Sequence, residues 1–230
     1  MQRVAFIVGV GPGLGAALAR RFAGEGFAVA LVARSQDFTG ELARELNLLG
    51  QKAVALTADA SDPAQIVEAV ARARQELGPI GVLIHNASSS SGDGLLGTSA
   101  EQFEQTWKIA TLGAFVCARE TAPDMIAEES GAMLFTGATS SVRGGGWLAF
   151  SSAKFALRGL AQSLARELWP KGIHVAHVVI DGLIGDGDEN EEPSLDPARI
   201  AEAYFHLATQ DRSAWTLELD LRPHREKFFE

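Results

Sequence analysis

Short runs of apolar residues alternate along the chain with longer segments in which apolar positions recur at helical spacing. The runs AFIVG, AVALVA and HVAHVVI are apolar at consecutive positions, which is typical of strands buried on both faces of a parallel sheet. This alternation predicts an α/β fold, a doubly wound Rossmann-type domain in which helices cover both faces of a seven-stranded parallel sheet. The predicted strands are residues 3–9, 27–33, 53–58, 81–85, 132–136, 173–180 and 215–221. The predicted helices are residues 13–25, 39–49, 62–77, 99–128, 150–169 and 197–208, the third of which opens with the start signal Asp62-Pro63.

The length of the chain bounds the number of domains. A chain of 230 residues can bury a full core, and no repeat or linker divides it. We predict a single domain, residues 1–230, that holds both a dinucleotide site and a substrate pocket. The one segment of biased composition is DGDENEEP, residues 186–193, which is predicted to be a solvated loop.

Charge and cysteine content limit the possible partners. The net charge is −9, whereas binding to nucleic acid or an anionic membrane depends on clustered Lys and Arg. No apolar run approaches the ~18 residues of a membrane helix, and a first strand at residue 3 leaves no room for a signal peptide. The single cysteine, Cys117, cannot form an internal disulfide, and no Cys/His cluster has metal-ligand spacing. We therefore expect a cytoplasmic protein without a metal, whose ligands are small molecules.

A glycine-rich stretch, AFIVGVGPGLG, follows the first predicted strand and opens the first predicted helix. Gly9, Gly11, Gly13 and Gly15 allow a tight turn there and let backbone N–H groups approach a phosphate at the positive end of the helix. Between a strand and a helix, such a stretch predicts a dinucleotide site.

The second predicted strand ends in LVARS, with Arg34 and without a carboxylate. A carboxylate at this point would accept a hydrogen bond from a free ribose 2′-hydroxyl, whereas a guanidinium pairs with a 2′-phosphate. The sequence therefore favours NADP(H) over NAD(H). The alternative is that Arg34 caps a strand end at the surface and has no role in binding the cofactor.

The spacing of the glycines resembles that of the short-chain dehydrogenase/reductase family, and further motifs follow in the family's order. Asp59 is similar to the family's aspartate near the adenine, and HNAS at residues 85–88 resembles its Asn-Asn-Ala-Gly segment. Lys154 resembles the lysine of its Tyr-x-x-x-Lys motif, and VVIDGLI resembles its Pro-Gly segment. The resemblance covers residues 3 to about 221. It implies that the cofactor is bound by Gly9, Gly11, Gly13, Leu14, Arg34, Asp59, Asn86, Lys154 and Ile184.

The catalytic positions of that family are altered in this chain. In the family a tyrosine exchanges the substrate proton, a lysine lowers the pKa of that tyrosine and binds the nicotinamide ribose, and a serine polarises the carbonyl. Phe150 stands at the tyrosine position, Gly137 at the serine position, and Ala110 at the position of an asparagine that holds a water. Asp181 replaces the proline of the Pro-Gly segment. Only the lysine remains of the four catalytic groups.

Loss of the protein acid slows hydride transfer without preventing it, because the nicotinamide carries that chemistry. General acid–base catalysis contributes about 10²–10⁴ in rate. The proton donor would be Lys154 with a pKa lowered by burial, a bound water, or a hydroxyl of Thr136, Thr139, Ser140 or Ser141. As a ribose ligand, however, Lys154 suits a cofactor-binding protein whether or not it is catalytic.

Three interpretations follow from these motifs. The first is an NADP(H)-dependent oxidoreductase with a nonstandard proton donor, Lys154, Ser140 or Ser141. The second is a nucleotide-binding protein without turnover, such as a redox sensor or a partner subunit. The third is a flavin or nucleotide-phosphate protein on the same kind of sheet.

Two further expectations concern the substrate and the assembly. If the acidic residues of 186–193 rim the pocket, they repel anionic substrates, which favours a small neutral or cationic carbonyl compound, alcohol or activated double bond. In the family, the helices that correspond to 99–128 and 150–169 pair between subunits. The resemblance therefore implies a homodimer or homotetramer.

Overall fold

Nine strands and seven helices alternate in the described part of the chain, residues 3–185 and 193–226 of a computed structural model. The strands are β1 (Val4–Val8), β2 (Ala28–Ala33), β3 (Ala53–Thr57), β4 (Ile80–His85), β5 (Gly131–Thr136), β6 (Ile173–Ile180), β7 (Leu183–Ile184), β8 (Ser194–Leu195) and β9 (Glu218–Leu221). The helices are α1 (Leu14–Gly24), α2 (Gln36–Leu48), α3 (Pro63–Leu77), α4 (Ala100–Trp107), α5 (Gly113–Ala127), α6 (Leu148–Leu168) and α7 (Pro197–Ala208). Within these described ranges, no helix is both long and apolar enough to cross a membrane.

Seven of the strands form one parallel sheet in the order β3-β2-β1-β4-β5-β6-β9. Successive side chains of a strand point to opposite faces, so Phe6 packs into the core on one face and Ile7 into the core on the other. The predicted doubly wound fold, with helices on both faces of a seven-stranded parallel sheet, is confirmed. The acidic run predicted to be a solvated loop falls on residues 186–192, outside the described ranges.

The helix starts are set by local chemistry. The Asp62 side chain accepts hydrogen bonds from the backbone N–H groups of Ala64 and Gln65, and Pro63 occupies the first helical position of α3, as predicted. In contrast, α1 begins after Gly13, which has no side chain to cap it. The Ala16 N–H donates to the Gly11 carbonyl at 2.9 Å, which leaves the N–H groups of Leu14 and Gly15 at the start of the helix for another partner.

Two predicted elements differ from the structure. The helix predicted over 99–128 is interrupted by a π-helical turn at Lys108–Leu112, next to which a Cβ on Gly113 would lie 2.3 Å from the Ala60 carbonyl oxygen. The last strand begins at Glu218, not at Trp215, because the Trp215 indole stacks on His174 at 5.0 Å. The sequence also did not predict the two-residue strands β7 and β8, which pair only with each other.

The single cysteine lies within the core. Cys117 is on α5 and is fully buried. Burial raises the pKa of its thiol well above the ordinary value, so the thiol stays protonated and unreactive.

Candidate cofactor and substrate site

Two adjoining cavities of about 470 and 810 Å³ open at the carboxyl ends of the central strands. Gly9, Gly11, Asn86 and Ser88 line both of them. They lie where β1 has β2 on one side and β4 on the other, which is the switch point at which open α/β sheets bind ligands. The two cavities therefore adjoin at the carboxyl end of β1, and together they are called the cleft below.

The glycine-rich turn after β1 forms the wall shared by the cavities. Gly9 has φ +87°, and a Cβ there would lie 2.5 Å from the Ala87 nitrogen. By contrast, a Cβ on Gly11 or Gly13 would meet nothing within 4 Å, so these residues present bare backbone to the cleft. Asn86 fixes the turn, because its side-chain amide donates to the Gly9 carbonyl at 3.0 Å. The turn and the uncapped start of α1 fit a diphosphate.

Arg34 and Asp59 line the smaller cavity, at the ends of β2 and β3. The Asp59 carboxylate accepts hydrogen bonds from the backbone N–H and the hydroxyl of Ser61, at 2.8 and 2.7 Å. Partial burial acts to raise the pKa of Asp59, but these hydrogen bonds and the charge of Arg34 bring it below its ordinary value. Asp59 is therefore a fixed anion, with the Arg34 guanidinium on the same cavity wall.

Lys154 and Phe150 line the larger cavity, one helical turn apart on α6. The Lys154 side chain is almost fully buried, and its Nζ donates to the Thr136 carbonyl at 2.7 Å. Burial lowers the pKa of Lys154 to about 8. The Nζ atom lies 5.3 Å from the centroid of the Phe150 ring, so a phenyl ring covers the ammonium on one side.

The four hydroxyls proposed as proton donors differ in position. Thr136, Thr139 and Ser140 all line the larger cavity, but only the two threonine hydroxyls have a partner described below. Ser141 is fully buried beneath the wall, where its Oγ accepts a hydrogen bond from the Ala138 N–H at 3.1 Å. The Thr139 hydroxyl donates to the Asp181 carboxylate. The Thr136 hydroxyl pairs at 2.7 Å with that of Tyr204, the only tyrosine of the chain.

An imidazole that the sequence did not predict packs against Gly137. A Cβ on Gly137 would lie 2.2 Å from Nε2 of His177, so the histidine fills the space of a side chain at this position. His177 Nδ1 lies 3.2 Å from Glu218, which also forms two hydrogen bonds with Arg158. Burial lowers the pKa of His177 below its ordinary value, more strongly than Glu218 raises it. The spacing of residues 137 and 177 gave no signal of this contact.

Asp181, in place of the family's proline, joins three segments at the cavity. Its carboxylate accepts hydrogen bonds from Thr139, on the loop after β5, and from Arg222, which follows β9. Only 13% of the Asp181 side chain and 11% of the Arg222 side chain are exposed. Ile184, on β7, also lines the larger cavity.

The structure brings most of the predicted site residues into the cleft. The exception is Ser141, which lies beneath the wall. The residues that line one or both cavities are Gly9, Gly11, Gly13, Leu14, Arg34, Asp59, Asn86, Ser140, Lys154 and Ile184.

Comparison with known proteins gives consistent matches to one family. The sequence model of the family described as short chain dehydrogenase matches residues 3–188. A short-chain dehydrogenase structure from Rhodopseudomonas palustris has 38% sequence identity and a TM-score of 0.87, covering 96% of this chain and 99% of that one. An alcohol dehydrogenase structure from Thermococcus sibiricus, complexed with 5-hydroxy-NADP, has 26% identity and a TM-score of 0.90, covering 99% of each chain. The L-2,3-butanediol dehydrogenase of Corynebacterium glutamicum is 30% identical over 81% of this chain and 74% of its own length.

Proposed function

Since the chain belongs to the short-chain dehydrogenase/reductase family, we propose that it is an NADP(H)-dependent oxidoreductase with a nonstandard proton donor. Its substrate is a small neutral carbonyl compound, alcohol or activated double bond. The observation that supports this proposal is that the bare glycine turn and Lys154 line the same cavity.

The cofactor assignment rests on the fit of each part of the cleft to a part of the dinucleotide. The glycine turn holds the diphosphate, Asp59 lies beside the adenine, and Arg34 pairs with the 2′-phosphate. Lys154 binds the nicotinamide ribose, and the backbone of Ile184 meets the nicotinamide amide. When bound, the nicotinamide supplies or accepts the hydride. The similar alcohol dehydrogenase from T. sibiricus is complexed with a derivative of NADP, which supports this choice of cofactor.

Lys154 is the proton donor that the geometry supports best. It lines the larger cavity, and a pKa of about 8 keeps most of its ammonium protonated at pH 7 while making the proton easier to release. Ser140 is the second candidate, because it lines the same cavity, whereas the hydroxyls of Thr136 and Thr139 pair with Tyr204 and Asp181. With Lys154 as the donor, carbonyl reduction should fall as the pH rises through about 8.

A nucleotide-binding protein without turnover is the second candidate function. Phe150 has no exchangeable proton, and the space for a side chain at Gly137 is filled by His177. These two features leave the cofactor site unaffected while they weaken the case for catalysis.

Titration with NADPH and NADH, followed by a screen of small aldehydes and ketones for NADPH oxidation, separates these functions. Phe150→Tyr is compared with Phe155→Tyr, the same change at an exposed position of the same helix. We expect tighter binding of NADPH than of NADH and slow turnover by the wild type. Phe150→Tyr should accelerate turnover by about 10²-fold or more, and Phe155→Tyr should not. Turnover in Phe150→Tyr alone would favour the second function, and failure to bind either nucleotide would refute both.

The assembly and location are proposed on separate grounds. Large apolar side chains are exposed on the helices expected to pair between subunits, namely Phe103, Trp107, Phe115 and Phe155. These exposed side chains support a homodimer or homotetramer. Light scattering of the purified protein would test this assembly by measuring its mass. A cytoplasmic location remains a prediction from the single cysteine.

A further inference from the structure

The Trp147 indole is the most exposed large apolar side chain at the larger cavity. It is 66% exposed, and it lines the cavity at the start of α6. Leu183 and Ile184 line the same cavity and are 54% and 40% exposed. Large apolar side chains exposed together inside a concave site mark a surface that a ligand covers.

Trp147 and Phe150 form an aromatic corner. Their ring centroids are 6.0 Å apart, with an angle of 65° between the ring planes. Aromatic rings favour offset stacking or edge-to-face contact. A planar ring placed in this corner can therefore stack on one of the two side chains while meeting the other with its edge. A saturated ring of similar size lacks the charge distribution that makes both contacts favourable.

The reacting groups lie at the inner end of this corner. Lys154 Nζ is 5.3 Å from the Phe150 centroid, and Ser140 lines the same cavity. A ring that packs against both Trp147 and Phe150 can therefore place a directly attached carbonyl or carbinol group next to Phe150, toward the ammonium. At positions i, i+3 and i+7, Trp147, Phe150 and Lys154 follow one face of α6, with Phe150 between the other two along the helix axis, which suits a compound with one ring.

The charges at the cavity favour an uncharged ring. Lys154 is held by the Thr136 carbonyl, and Asp181 is paired with Arg222. The Asp181 charge is therefore already balanced, and the Lys154 ammonium is the group available to the reacting oxygen. Arg143 also lines the cavity, and a carboxylated ring compound tests whether it selects an anion.

We propose that the Trp147–Phe150 corner selects neutral aromatic carbonyl compounds and the corresponding aryl alcohols as substrates. In this assignment Phe150 contributes binding where the family's tyrosine contributes acid–base chemistry. The inference rests on the proposed oxidoreductase function for its reaction, but the corner itself exists without a cofactor.

Binding of alcohols to the protein saturated with NADPH tests this assignment, because an alcohol and the reduced cofactor cannot react. The probes are benzyl alcohol, cyclohexylmethanol, 1-propanol and 4-(hydroxymethyl)benzoate, each titrated by isothermal titration calorimetry, which also measures binding in variants that lack the Trp147 indole. We expect benzyl alcohol to bind at least about tenfold more tightly than 1-propanol and several-fold more tightly than cyclohexylmethanol. Trp147→Ala should weaken benzyl alcohol binding about tenfold and leave 1-propanol unchanged, and Trp147→Phe should restore most of the preference.

Leu48→Ala is the control, since it removes a large exposed apolar side chain from α2, away from both the cavity lining and the helices expected to pair between subunits. Equal affinities for the aromatic and saturated alcohols, or no effect of Trp147→Ala, would overturn the proposal. Tightest binding of the carboxylated probe would replace it with anion recognition by Arg143. The same titration without nucleotide tests the aromatic corner on its own. Failure to bind NADPH would count against the proposed oxidoreductase function, whereas failure to prefer benzyl alcohol without nucleotide would count against the aromatic corner.

Discussion

Replacing Gly137 with serine tests why the chain has no hydroxyl at this position. A Cβ at residue 137 would lie 2.2 Å from Nε2 and 2.5 Å from Cε1 of His177, far inside a nonbonded contact of about 3.5 Å. The imidazole cannot retreat easily, because Glu218 holds its other nitrogen and Arg158 holds Glu218. Gly137→Ser should therefore overpack the wall of the cavity.

The loss of stability in Gly137→Ser follows from the overlap between the new Cβ and the His177 ring. Overpacking a filled core typically lowers the free energy of unfolding by about 1–3 kcal/mol. For a chain of this size, that change lowers the Tm by about 2–12 °C. His177→Ala removes the obstructing ring, so in the double variant the serine should fit. The free energy of unfolding of the double variant should then exceed the additive expectation by about 1 kcal/mol or more.

Urea unfolding of the wild type, both single variants and the double variant measures this coupling. Gly144→Ser is the control, because a Cβ there meets nothing within 4 Å, and its effect should stay within about 0.5 kcal/mol. A Gly137→Ser protein as stable as the wild type, or strictly additive effects in the double variant, would refute the reasoning that His177 excludes the serine.

Three other variants test other parts of the site. Asp181→Asn removes one of the carboxylates paired with the nearly buried Arg222, which keeps its ion pair with Asp220, and should lower the free energy of unfolding by about 1 kcal/mol, measured by urea unfolding; an unchanged midpoint would contradict this. Arg34→Leu should raise the Kd of NADPH about tenfold or more while leaving that of NADH nearly unchanged; equal effects on both would remove the basis for NADP(H) preference. Burial lowers the pKa of His85 to about 3 and also that of His177, so the unfolded chain binds protons that the native protein does not. The free energy of unfolding should therefore fall as the pH drops below about 6.5, with a shallower slope in His85→Leu; an equal slope in that variant would show that His85 does not contribute.

The elements that place the cleft were predictable because they depend on local pattern. Consecutive apolar residues in β1, β2 and β6 reflect burial on both faces of the sheet, and the glycine turn after β1 lies where phosphate binding requires bare backbone. The π-helical turn was not predictable in the same way, because it occurs where Gly113 meets the Ala60 carbonyl, a contact between distant segments.

In the candidate active site, too, the features set by local sequence were predictable and those set by contacts between distant segments were not. The sequence showed that Gly137 stands where the family has a serine. It could not show that the space of the serine side chain is filled by the imidazole of His177, because His177 lies on another strand, β6. Counting positions could not distinguish Ser140 from Ser141 either. That difference depends on a short helical turn at Thr139–Ser141, which turns one hydroxyl toward the Ala138 N–H and leaves the other serine at the cavity.

The buried position of Cys117 has a practical consequence for site-specific labelling. The chain has no other cysteine, and Cys117 is neither accessible nor easily ionised. Maleimide and iodoacetamide reagents should therefore leave the native protein unmodified. A cysteine introduced at a fully exposed position such as Leu96 would carry the only reactive thiol, so a fluorophore or spin label could be attached there without first removing Cys117.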